Sequence, residues 1–193
     1  MGLGVTVVTH DVDVARAAAR GGADLVQVRA KVLDDEALLA LTLAVIAACS
    51  EHGTGVVVND RLDVAIAAGA EGVHLGQAEL HAQVIVPSGM LLGISVDDAE
   101  QALRAASVGA DYLGVTVFAT ATKRDARPVG LAGLSAIVAA TDVPVVGIGG
   151  ITASNAAQVL DAGATGIAVV SYVGAADDMV AATRELVAIV QGG

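Results

Sequence analysis

Aromatic residues are almost absent: of 193 residues none is Trp, one is Phe and two are Tyr. A core must therefore be built from Ala, Val, Leu and Ile, and 55% hydrophobic residues supply enough of them. The same share excludes a disordered chain. Cysteine occurs once, at Cys49, so no internal disulfide can form; its apolar helical surroundings make it a small buried hydrophobe, suited to a reducing cytoplasm. Positive charge is also scarce, with ten Lys and Arg against twenty-one Asp and Glu, a net charge of −11. That balance repels nucleic acid and anionic lipid and excludes a nucleic-acid reader. The longest apolar run, residues 38–49 interrupted only by Thr42, falls short of the roughly twenty residues needed to cross a bilayer and reads as a buried helix, so no membrane role is expected. No basic segment precedes an apolar one at the start, so no secretory signal is expected. Met1, Gly2 and Thr6 satisfy a loose myristoylation pattern, but 5–8 reads as a buried strand, which argues against it.

Short β-branched runs at 5–8, 25–28, 56–58, 73–75, 91–94, 112–117, 145–148 and 167–170 predict eight strands. Helix-favouring stretches with capped starts lie between them, among them 34–50, 97–107, 131–140 and 152–161. Strands that are apolar on both faces belong to a parallel sheet. Gly22-Ala23-Asp24, Gly69-Ala70-Glu71, Gly109-Ala110-Asp111 and Gly163-Ala164-Thr165 each close a helix and lead into strands two, four, six and eight. Eight βα units with an even-strand echo predict a compact (β/α)8 TIM barrel, α/β in class, with residues 1–193 as one catalytic domain. The alternative is a doubly wound open sheet.

In such a barrel the chemistry stands where the strands end. Strand two ends in Gln27, Arg29 and Lys31, strand three in Asn59, Asp60 and Arg61, and strand four in His74, Gly76, Gln77 and Glu79. Ser95 follows strand five, Thr120, Thr122, Lys123 and Arg124 follow strand six, Gly149 and Gly150 follow strand seven, and Val170 and Ser171 close strand eight. Both lysines of the chain, Lys31 and Lys123, belong to this rim, as does Arg29, and cations gathered on an acidic protein imply an anionic ligand. Gly147, Gly149 and Gly150 before Thr152 suit a phosphate held on backbone N–H groups. Asp60 and Glu79 offer two oxygen ligands for Mg²⁺ alongside phosphate oxygens and water. Asp63 reads as a first-turn carboxylate favoured by the helix dipole. A lone histidine such as His74 is more often a satisfied core residue than a catalyst, while His10, His52 and His81 read as loop or surface positions, and no spacing suggests zinc.

Taken in order, Gln27-Val28-Arg29-Ala30-Lys31, Val58-Asn59-Asp60-Arg61, Val73-His74-Leu75-Gly76-Gln77, Gly93-Ile94-Ser95, Gly109-Ala110-Asp111-Tyr112, Thr120-Ala121-Thr122-Lys123, the stretch 144–151 and Ala168-Val169-Val170-Ser171 resemble the thiamine phosphate synthase family over nearly the whole chain. The resemblance implies a cytoplasmic, Mg²⁺-dependent transferase. It joins 4-amino-2-methyl-5-hydroxymethylpyrimidine diphosphate to thiazole phosphate, with thiamine phosphate and diphosphate as products. By the same resemblance Arg29, Lys31, Asn59 and Lys123 grip the diphosphate and Asp60 and Glu79 bind Mg²⁺. Gln27, His74, Gly76 and Ser95 surround the aminopyrimidine, and Thr120, Thr122, Gly150, Val170 and Ser171 hold the thiazole phosphate. The implied partners are these small phosphorylated substrates. Barrels of this size often pair into homodimers, although no residue locates an interface.

Four features depart from the family pattern. Glu79 replaces an aspartate, Asp97 stands where a histidine is usual and forms with Glu100 the spacing of a helix capping box, and the strand-six loop lacks Gly-Pro and is one residue shorter. The customary leading helix or arm is not expected before strand one. Three other readings compete. A thiazole tautomerase relative needs no full cation and metal set, a Schiff-base aldolase would use Lys123, and a non-catalytic phosphate-binding paralogue would suit Glu79 and the short loop.

Overall fold

The computed structural model describes residues 3–80, 85–120 and 127–192. Eight strands, β1 (Val5–Thr9), β2 (Leu25–Val28), β3 (Gly55–Asn59), β4 (Gly72–Leu75), β5 (Leu91–Ser95), β6 (Tyr112–Thr116), β7 (Val145–Ile148) and β8 (Gly166–Val169), pair in sequence order, and β8 returns to β1. Every pairing is parallel. The sheet is thus a closed barrel, and the open doubly wound alternative is excluded.

Helices α1 (Val12–Arg20), α2 (Asp35–Ser50), α3 (Leu62–Ala68), α4 (Ala99–Ser107), α5 (Gly130–Ala139), α6 (Ala153–Asp161), α7 (Ser171–Gly174) and α8 (Met179–Gln191) fill the connections. Within α2, Leu38, Thr42, Val45 and Cys49 are buried at helical spacing while Leu43 is exposed, so one face of the expected buried helix is open. Thr42 satisfies its buried hydroxyl by donating to the Leu38 carbonyl at 2.8 Å. Burial pushes the Cys49 thiol up to about 11, as a packed hydrophobe requires. Among the described residues no helix is long and apolar enough to cross a membrane.

Two sets of apolar residues divide the molecule. Val5, Val7, Val26, Val28, Val56, Val58, Leu113, Val115 and their outward-facing equivalents pack against the helices in the main core. A smaller cluster of Tyr112, Val146 and Ala168, with Leu3 and Ile148, lies inside the barrel. The alternation of strand side chains makes this division.

The Gly-Ala-Asp/Glu echo has a structural meaning. Gly22, Gly69, Gly109 and Gly163 all have positive φ and end a helix, as the repeat predicts. The acid that follows ties down the strand before its own: the carboxylates of Asp24, Glu71 and Asp111 accept from the N–H groups of Val5 at 2.8 Å, Val56 at 2.6 Å and Leu92 at 2.8 Å. Each therefore satisfies a donor at the start of an odd strand. Thr165 carries no carboxylate, and the fourth repeat lacks this tie. The N-cap of α4 is Asp98 rather than Asp97, with Asp98 accepting from the Gln101 N–H at 2.8 Å and Gln101 accepting from the Asp97 N–H at 3.0 Å. The expected Asp97–Glu100 box does not form: Asp98, which has the same spacing to Gln101, takes the cap, and the Gln101 side chain reaches back to the residue before it.

Replacing Asp24 by Ala leaves the N–H of Val5, a residue only 1% exposed, without its partner. We expect a loss of about 1–3 kcal/mol, read as a lower urea midpoint at unchanged slope.

Candidate active site

Closing eight parallel strands advances each on the last by about one residue, so alternate strands place their inward side chains in shared levels. The register puts Thr6, Val57, Gly93 and Val146 at one level, Gln27, His74, Gly114 and Ala168 at the next, and Val8, Asn59, Ser95 and Ile148 above them. Arg29 and Gly76 follow at the mouth. Above the apolar floor opens a cavity of about 660 Å³.

All predicted site residues that fall among the described ones line this cavity. Gln27, Arg29 and Lys31 come from β2 and its loop, Asn59 and Asp60 from β3, His74, Gly76 and Glu79 from β4 and its loop, and Ser95 from β5. Thr120 approaches from beyond β6, Gly150 from β7, and Val170 and Ser171 from the end of β8. Thr122 and Lys123 lie outside the described residues. His10 and His52 are exposed, and His81 also lies outside the described residues. Arg61 is held elsewhere: it pairs at 2.6 Å with Asp35 at the start of α2 and at 2.6 Å with Asp63 in the first turn of α3. That pairing holds both carboxyls below the usual carboxylate range and raises the guanidinium.

The interior network was only partly legible. His74 points inward, with Nδ1 at 3.0 Å from the Tyr112 hydroxyl and Nε2 at 2.9 Å from Ser95 Oγ. Burial raises the Tyr112 phenol pKa, while the Gln27 side chain opposes the shift, as a donor to the phenol oxygen does. His74 thus bridges the Tyr112 phenol and the Ser95 hydroxyl, with Gln27 on the phenol's other side. Two glycines make room: a Cβ at Gly93 would lie 2.2 Å from Tyr112 Cζ, and one at Gly114 2.9 Å from His74 Cε1. Tyr112 was missed as a functional residue because it opens an apolar strand; its alternation with Gly114 and Thr116 was the available signal.

At the mouth, two carboxylates stand beside two cations. Asp60 has φ 64, the one positive φ outside glycine among the described residues, and donates its N–H to the His74 carbonyl at 2.8 Å. Such a conformation costs about 1–3 kcal/mol and clusters at functional sites. Glu79 folds back over Gly76, where a Cβ would lie 2.6 Å from its Oε2. Neither carboxylate forms an ion pair among the described residues. Among the described residues no group of three or more His, Cys, Asp or Glu side chains could hold a metal ion, and the cavity lining presents two carboxylates, Asp60 and Glu79. Mg²⁺, which keeps waters and takes phosphate oxygens, fits a pair of this kind.

On the opposite side, the three glycines of β7 divide their tasks. Gly147 lets β7 approach α6, since its Cβ would meet Val159 at 2.5 Å. Gly149 (φ 90) and Gly150 (φ 61) turn the chain beneath the backbone of Phe118 and Ala119, whose carbonyls a Cβ at either would approach to 2.8 Å. Thr152 and Asn155 then form the capping box of α6. The loop after β6 returns to its origin, the Val129 N–H donating to the Thr116 carbonyl at 2.9 Å and the Gly130 N–H to that of Val117 at 3.0 Å. Asp97 is exposed at the α4 cap and does not line the cavity.

The thiamine monophosphate synthase family model matches residues 5–173. A thiamine-phosphate synthase of Methanoculleus marisnigri is 51% identical over 183 residues, covering 92% of this chain and 86% of that protein. One from Methanoregula boonei is 47% identical over 179 residues, covering 90% and 83%. Among solved structures, thiamine phosphate pyrophosphorylase from Pyrococcus furiosus superposes with a TM-score of 0.91 at 38% identity, covering 98% of this chain and 96% of that one. Barrel closure, cavity and sequence agree, and the chain belongs to the thiamine monophosphate synthase family.

Proposed function

We propose that this protein is a Mg²⁺-dependent thiamine phosphate synthase. It condenses 4-amino-2-methyl-5-hydroxymethylpyrimidine diphosphate with thiazole phosphate by a dissociative displacement. The observation that carries this reading is one cavity with Arg29, Lys31, Asp60 and Glu79 gathered over β2–β4 and a glycine corner over β7. Two separate anion-holding regions match two phosphorylated substrates.

The bond between the pyrimidine methylene carbon and the diphosphate oxygen breaks, and the leaving group takes the electron pair. The thiazole nitrogen then forms the new carbon–nitrogen bond with its lone pair, so no protein base or covalent nucleophile is required. Arg29, Lys31 and Asn59, together with Lys123, stabilise the charge that accumulates on the departing diphosphate. Bound Mg²⁺, held by Asp60 and Glu79, would neutralise further charge on the diphosphate oxygens. Gln27, His74 and Ser95 orient the aminopyrimidine, with Gly76 giving it close approach. Val8, Val146, Ile148 and Ala168 wall the cavity with carbon and keep water from the electron-poor methylene. Thr120, Thr122, Gly150, Val170 and Ser171 position the thiazole phosphate. The buried, unreactive Cys49 suits the cytoplasm, and pairing of two barrels is part of the proposal.

Product formation from the two purified phosphates, with and without metal, tests the assignment. Lys31→Ala should lower turnover by roughly 10²–10³-fold with the fold intact. Asp60→Asn keeps a side chain that tolerates positive φ but removes the charge, and should raise the Mg²⁺ needed for half-maximal rate at least about tenfold. Gly76→Ala should shift the same metal titration by displacing Glu79. Full activity in excess chelator would reject the metal role, and wild-type rates in Lys31→Ala would reject the cation role.

A further inference from the structure

We propose that the Thr6 hydroxyl is a specificity-determining contact, hydrogen-bonding a ring nitrogen or the amino group of the aminopyrimidine at the floor of the cavity. The inference deepens the synthase reading and rests on it for the identity of the ring.

Thr6 is 3% exposed and lines the cavity, and its Oγ1 is the one buried side-chain polar atom without a hydrogen-bond partner among the described residues. Native folds rarely leave such an atom unpaired. The position does not require a hydroxyl for packing, because Val57 and Val146 share its level and Val8 follows on the same face. Valine has the same shape and lacks the desolvation cost. Its cross-strand neighbours, Leu25 and Ala168, offer no side-chain polar atom, and Gln27, one level up on the next strand, makes no hydrogen bond to the Thr6 hydroxyl.

The small side chain of Ala168 leaves the space above Thr6 to whatever enters from the mouth. Of the two substrates, the thiazole is held near that mouth by its phosphate at the β7–β8 corner. The pyrimidine extends from the diphosphate site past Gln27 and His74 into the barrel. It carries two ring nitrogens and an amino group into an interior that is otherwise carbon on the β7, β8 and β1 side. A hydroxyl, able to donate and accept, serves any of these atoms.

The test is equilibrium binding of the pyrimidine diphosphate to the wild type, Thr6→Val and Thr6→Ser, with turnover measured alongside. Thr6→Val should weaken binding about tenfold, the value of one neutral hydrogen bond, while inorganic diphosphate binds as to the wild type and the KM for thiazole phosphate stays within about twofold. Its unfolding midpoint should equal or exceed the wild type's, and Thr6→Ser should restore binding. Unchanged pyrimidine affinity in Thr6→Val, equal weakening toward both substrates, or weakening accompanied by a lower midpoint would overturn the contact. Wild-type binding without turnover would reject the synthase reading while the contact is still decided by the affinities. Absence of wild-type binding overturns both.

Discussion

Eight short parallel strands close on themselves only when each is displaced along the last, and that displacement decides which side chains meet on the axis. Residues as distant in sequence as Gln27, His74 and Ala168 share one level for this reason alone. The interior is narrow, so a large side chain needs a glycine opposite it. Gly93 and Gly114 provide this for Tyr112 and His74, and the polar network of Tyr112, His74 and Ser95 forms in the space they leave.

Charge is distributed by the same constraint. The acidic residues of the repeat sit at the N-terminal ends of β2, β4 and β6, where Asp24, Glu71 and Asp111 satisfy backbone donors. Arg29 and Lys31 sit at the opposite end, beside the cavity, and Arg61 is withdrawn into a pair with Asp35 and Asp63. A strongly acidic chain therefore spends many of its carboxylates on structure and leaves Asp60 and Glu79 at the mouth beside the cations. Arg29, Asp60 and Glu79 are half-buried at a cavity walled by Val8, Ile148 and Ala168, where a charge acts with less screening than on the open surface, while Lys31 is exposed at its edge.

Strand positions were legible because every strand is apolar and bounded by turn residues, and the residues just beyond each strand could be assigned to the mouth without coordinates. The fold class followed from the βα count and the glycine echo. Levels within the barrel were not legible, since they depend on register between strands that are not adjacent in sequence. Tyr112 and Thr6 were hidden for that reason: each belongs to a strand that reads as core, and only the inward phase makes it part of the cavity. The Asp98 cap shows the complementary limit, because two aspartates in succession present the same signal one residue apart. The division of labour in β7, with Gly147 for packing and Gly149 with Gly150 for the turn, likewise needs the helix and the β6 loop in place.

Local rules are broken where the cavity is built. Asp60 holds a left-handed backbone that glycine or asparagine would adopt at less cost, and Thr6 presents a buried hydroxyl where valine would pack equally well. Tyr112 places a phenol in the floor of an apolar barrel and needs His74 to satisfy it. Selection for stability alone would remove all three. Away from the cavity the opposite holds: helix caps at Asp11, Asp34, Asp98 and Asp178 and the acid ties beneath the barrel satisfy backbone donors with short, well-placed side chains. The rest of the barrel offsets what the mouth and interior cost. A site concentrated in one strained region of an otherwise regular scaffold is what differential binding of a reacting substrate demands.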